Sequence, residues 1–127
     1  MEKRQGTITA PGELNILPHE MATARALADA GYDVEFMPRT QGKRVKSADL
    51  VANGVVWELK SPTSGNIRVV QKHIRAALHQ SRDIVFDSRR MKGLSDVVVE
   101  REVRKWAASL AYVRRMLYVA RNGRVAR

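Results

Sequence analysis

Apolar positions along this chain switch between a helical and a strand period, and the switches mark its elements. From Pro18 to Ala30 an alanine-rich run reads as a helix, with proline at an allowed first position, Glu20 in the first turn and Gly31 as the stop. Tyr32, Val34 and Phe36 then alternate with Asp33, Glu35 and Met37, which predicts a strand closed by Pro38. RTQGKRVK, residues 39–46, reads as a basic loop. After a hairpin described below, SPTSGN forms a turn, and Asn66 is expected to cap a helix running to about Ser81. DIVFD, residues 83–87, is a short strand. A helix capped by Ser95 reaches about Leu110, with Val99, Val103, Trp106 and Leu110 as its apolar side. MLYVA, residues 116–120, makes a last strand, and RNGRVAR is a basic tail. The order α-β-β-β-α-β-α-β implies an α/β fold, a mixed β-sheet flanked by helices. Residues 1–17 are a lead-in or linker, and 18–127 form a single domain.

The hairpin spans Ser47 to Lys60, SADLVANGVVWELK. Asn53-Gly54 favours a two-residue type I′ turn, because both central positions need positive φ. That turn sets Leu50 opposite Trp57 and Asp49 opposite Glu58. Strand alternation then collects Ala48, Leu50, Ala52, Val55, Trp57 and Leu59 on one face, and Asp49, Val51, Val56, Glu58 and Lys60 on the other. Opposed carboxylates repel at the ~4.5–5.5 Å that separates such neighbours. A hard divalent cation converts that repulsion into binding, and Lys60, two residues after Glu58, adds a group that acts on a water or a phosphate. Three charges on an exposed hairpin face are ordinarily just solvated. A hairpin buried between helices has no structural use for them.

Composition narrows the partner. Lys and Arg number 23 against 13 acidic residues in 127, a formal charge of +10, which points to a polyanion and first to nucleic acid. Hydrophobic residues make up 44%, enough for a single core. The absence of cysteine excludes disulfides and thiolate metal sites, and His19, His73 and His79 share no zinc-binding spacing. No apolar run is long enough to span a bilayer, and no signal peptide is visible at the N-terminus, so no membrane anchoring is expected. In the helix after the hairpin, Ile67, Val70, Ile74, Ala77, Leu78 and Ser81 recur as the buried side. Arg68, Lys72, Arg75, His79 and Arg82 recur on another side, either a solvated stripe or a ridge that tracks phosphates. Trp57 and Trp106 fall on apolar faces and read as core.

The element order, with SADL followed by WELK, resembles the PD-(D/E)xK nuclease superfamily, Asp49, Glu58 and Lys60 standing at its motif positions. The motif's proline is replaced by Ala48. Within that superfamily the chain resembles the CdiA-type C-terminal toxin domains of contact-dependent growth inhibition and related phage and mobile-element proteins. PHE at 18–20, GYDVEF at 31–36, KSADL at 46–50, WELKSPTS at 57–64 and the helix ending ALHQS carry the likeness.

The resemblance implies a metal-dependent ribonuclease acting on transfer RNA. It implies Glu20, Asp49, Glu58 and Lys60 as catalytic residues, and Asp49, Glu58, the Leu59 carbonyl and Glu20 around a divalent metal. Mg²⁺ is the first expectation, Mn²⁺ or Zn²⁺ the others. Nucleic acid would be contacted by Arg68, Lys72, Arg75, His79, Lys43, Arg44, Ser61 and Thr63, although turn formation also explains Ser61 and Thr63. The resemblance further implies action in the cytoplasm of a target cell, delivery within a larger secreted or phage-borne protein, and an acidic immunity partner. A DNA endonuclease or resolvase of the same fold, or a non-catalytic nucleic-acid-binding module, is the alternative reading, and a membrane-surface protein is the weakest.

Overall fold

The computed structural model describes residues 5–12, 14–41 and 44–127, without the side chains of 39–47. Two compact units meet in sequence between Trp57 and Glu58. The first holds β1 (Ile8–Thr9), α1 (Pro18–Asp29), β2 (Val34–Gln41), β3 (Arg44–Ala52) and the start of β4 (Val55–Lys60). β1 runs parallel to β2, and β2, β3 and β4 form an antiparallel meander. Pro18 opens α1, whose Ala24, Leu27 and Ala28 are buried. Gly31, at φ 100°, lets the chain leave the helix for β2.

The second unit holds the end of β4, α2 (Val69–Ala77), β5 (Asp83–Asp87), α3 (Asp96–Ser109), β6 (Arg115–Val119) and β7 (Val125–Ala126). Here β4, β5 and β6 run parallel, and β7 closes antiparallel on β6. Parallel neighbours need crossovers, which α2 and α3 supply. Every residue of β5 is buried, as expected of a strand with neighbours on both sides. Val70, Ile74 and Ala77 of α2 and Val99 and Val103 of α3 pack with Ile84, Phe86, Met91 and Tyr118 into one core. Each such large apolar side chain contributes roughly 1.5–3 kcal/mol by leaving water.

The α/β class with a mixed sheet stands, and several expected details change. The segment read as lead-in carries β1, and the basic tail carries β7, so the order of elements has a short strand at each end. Pro38 does not close β2, which continues to Gln41. β1 covers only Val34 and Glu35 of β2, so Pro38 lies where that edge has no β1 partner and its missing N–H costs no ladder bond there. A register shift at Arg39/Thr40 follows at once. The stretch read as a basic loop therefore belongs largely to β2 and β3, of which Gly42 and Lys43 lie outside the described residues. Asn66 is not the cap of α2: its Oδ1 accepts from the Arg68 backbone N–H at 3.0 Å, a side-chain turn that delays the helix to Val69. Ser95 does cap α3, accepting from Val98 N–H at 3.4 Å.

Candidate functional site

In the first unit the hairpin turn has the geometry its dipeptide demands, Asn53 at φ 50° and Gly54 at φ 80°. Leu50 pairs with Trp57, Val51 with Val56 and Ala52 with Val55. Leu50, Ala52 and Trp57 are buried while Val56 is exposed, as the two-face reading requires. Asp49 stands in register with Met37 of β2 and is half-buried. Glu20, at the third position of α1, accepts the Leu17 backbone N–H on Oε1 at 2.9 Å. That carboxylate thus caps its own helix.

In the second unit Glu58 and Lys60 lie two positions apart on β4, so both project to one face. The Lys60 Nζ is 3.8 Å from a Glu58 carboxylate oxygen, with side chains 24% and 15% exposed. Both belong to the ladder with the fully buried Ile84 and Phe86. A partly exposed ion pair contributes at most about 1 kcal/mol, and withdrawing two charges this far from water costs at least as much. Oxygen donors from Glu58 and the Leu59 carbonyl suit a hard cation such as Mg²⁺ or Mn²⁺. Among the described residues no three His, Asp or Glu side chains of one cluster are set to hold a metal, so water or substrate oxygens would complete any coordination sphere.

Two neighbours of this strand end are His73, which the sequence reading set aside only as a zinc ligand, and Arg90, which it did not single out. His73 of α2 is half-buried, and its pKa is lowered by that burial first and then by the Lys60 and Lys72 ammonium groups, which keeps the ring neutral at neutral pH. Arg90 donates from Nη1 to the Ser61 carbonyl at 3.1 Å. The Ser61 hydroxyl itself is buried and has no hydrogen-bond partner among the described residues. Thr63 is exposed. Arg68, Lys72, Arg75 and His79 are all exposed along and just beyond α2. They form the stripe that the spacing predicts. Lys43, and the side chain of Arg44, lie outside the described residues. One signal for Arg90 was available: a basic pair one residue past a strand read as DIVFD, at the strand end where open α/β sheets bind ligands.

Several other charges have structural work. Asp83, fully buried, receives hydrogen bonds from Arg114 and Arg115, which hold its carboxyl below the usual range. Asp87 binds Arg89 through both carboxylate oxygens. Trp106 donates to Glu102 at 2.7 Å and carries Lys105 over its ring, so it packs as a structural residue. No described helix is long and apolar enough to cross a membrane.

Residues 46–125, more than half of the chain, match the family model of the contact-dependent growth inhibition CdiA C-terminal domain. Among solved structures, the toxin and immunity complex CdiA-CT/CdiI from Burkholderia pseudomallei is similar in fold, with a TM-score of 0.67 at 20% identity over 95% of this chain and 97% of that one. No curated protein matches.

Proposed function

Because the chain belongs to the family of contact-dependent growth inhibition CdiA C-terminal domains, we propose that it is a toxin domain that cleaves transfer RNA as a metal-dependent ribonuclease. The observation that carries the reading is the Glu58–Lys60 pair, two half-buried charges 3.8 Å apart on one face of β4. The PD-(D/E)xK motif, read at Asp49, Glu58 and Lys60, and the +10 charge of the chain support it. In this reading Glu58 and the Leu59 carbonyl would hold the metal, with water or substrate oxygens completing its coordination. When bound, such an ion polarises the phosphate and lowers the pKa of a water.

The chain's own groups do the rest. Lys60 sets a positive charge where negative charge grows on the phosphate, and its hydrogen-bonding protons orient the attacking water. Glu58 restrains the Lys60 ammonium so that it is in place before substrate arrives. The exposed Arg68, Lys72, Arg75 and His79 stripe follows the RNA backbone. The domain enters a target cell as part of a larger secreted or phage-borne protein and acts in the cytoplasm. The producing cell holds it in check with an immunity protein, as the toxin and immunity complex of similar fold suggests, and the +10 charge of this chain makes an acidic partner the expected one.

Incubation with transfer RNA and with plasmid DNA, with Mg²⁺ or Mn²⁺ and with chelator, tests the reading. Metal-dependent cleavage of the RNA is expected, falling at least about 100-fold in Glu58→Ala and Asp49→Ala without loss of fold. Cutting of plasmid alone ends the RNA reading, and undiminished cutting by Glu58→Ala ends the assignment of the site.

A further inference from the structure

Past the end of β5 the turn 88–91 is unusually well anchored. Ser88 donates its backbone N–H to the Val119 carbonyl at 3.2 Å, and its hydroxyl bonds the same carbonyl at 3.0 Å and the Tyr118 hydroxyl at 2.8 Å. Met91, fully buried, returns its N–H to the Ser88 carbonyl at 3.0 Å. The two arginines between these anchors differ in kind. Arg89 is neutralised by Asp87, with its Nη2 2.8 Å from the carboxylate. Arg90 is half-buried, and among the described residues it pairs with no carboxylate. Its hydrogen bond goes to the Ser61 carbonyl, which orients a guanidinium and leaves its charge intact.

That bond fixes Arg90 at the residue directly after Lys60, at the carboxyl ends of two parallel strands. A guanidinium has five N–H donors in a planar fork suited to phosphate oxygens, and one of them here is committed. An unneutralised, half-buried arginine is costly unless an anion completes it. We propose that Arg90 is a preformed seat for one phosphodiester of a nucleic-acid backbone, next to Lys60. The seat deepens the ribonuclease reading and rests on it for its place in catalysis. Its existence as an anion site stands on the geometry alone.

The test measures binding of fluorescently labelled transfer RNA in chelator, between 50 and 200 mM salt, for the wild type, Arg90→Gln and Arg104→Gln. Arg104 lies on α3, paired with Glu100, and serves as the charge-matched control. Arg90→Gln should bind several-fold more weakly and lower the slope of log affinity against log salt by about 0.7–0.9, the loss of one phosphate contact. The control should keep the wild-type slope. An Arg90→Gln slope equal to wild type overturns the seat. Should the variant fold poorly, arginine-selective labelling of the wild type by phenylglyoxal decides instead: RNA should protect Arg90, and equal labelling with and without RNA overturns the seat. A wild type that binds with the Arg90 contribution but cuts nothing refutes the nuclease reading and keeps the anion site. Metal-dependent cutting with no Arg90 contribution does the reverse.

Discussion

Removal of one oxygen from the second unit, Tyr118→Phe, has a consequence that can be worked bond by bond. The Tyr118 side chain is buried in the core, and its hydroxyl donates to Asp96 Oδ1 at 2.9 Å and meets Ser88 Oγ at 2.8 Å. Ser88 keeps the Val119 carbonyl as an acceptor after the substitution, so its hydroxyl is not orphaned. Asp96 keeps the Arg121 backbone N–H, at 3.2 Å, and is partly open to water. What is lost is the bond to the charged Asp96, worth about 1.5–3 kcal/mol in full, and the contact with Ser88, whose hydroxyl turns to the Val119 carbonyl; the cost is reduced because water reaches Asp96 and because phenylalanine fits the same apolar space. The expected cost at pH 7 is about 1–2 kcal/mol, or a fall of about 1 M in the urea midpoint at an unchanged slope.

The pH dependence sharpens this. Burial, chiefly, pushes the Tyr118 hydroxyl well above its ordinary value of 10. A folded-state pKa raised above the unfolded one means stability that is complete below pH 10 and is lost as pH climbs beyond it. Phenylalanine has nothing to ionise, so the gap between wild type and variant should narrow above pH 10. A cost under about 0.3 kcal/mol at pH 7 would refute the bond assignment. A gap that stays constant from pH 7 to 11 would refute the burial argument.

Two further outcomes follow from the same reasoning about charge. Asp83→Asn should destabilise the protein at neutral pH by weakening the Arg114 and Arg115 bonds. Because the Asp83 carboxyl is held below its ordinary 3.8, that stability is present above 3.8 and lost as pH falls below it, so chemical denaturation of the two proteins should converge in acid; a difference undiminished there contradicts the assignment. Lys60→Met should raise the pKa of the His73 ring, read from its NMR titration, yet leave it below 6.5 because burial is the larger cause. An unmoved His73 would mean that Lys60 does not face it.

Much of this arrangement was legible along the chain because it is local. Asn53-Gly54 fixes its turn through backbone sterics alone, and the alternation of Leu50, Ala52 and Trp57 with Val56 follows from the pleat. Ser95 was readable as a cap for the same reason, since its acceptor function reaches only three residues. Asn66 shows the limit: the residue type was right for capping, but its shorter bond to Arg68 N–H won. Pro38 misled because a proline's effect depends on which strand edge is covered, and β1, only two residues long, was invisible to periodicity. Arg90 and Ser61 are 29 positions apart, and Asp83 and Arg114 are 31 apart. Pairs at such separations are chosen by parallel strand register, which no window of sequence contains.

The parallel pairing of β4 with β5 also has a kinetic meaning. The first half of β4 finds its partner across a two-residue turn, a contact that forms in about 1–10 μs. Its second half, Glu58 to Lys60, is laddered to Ile84 through Phe86, across the whole of α2. A chain emerging from synthesis therefore completes the Trp57 side of this strand while the Glu58 side still waits for residues not yet made. Within one strand the hydrophobic anchor is an early product of folding, and the charged pair beside it is a late one.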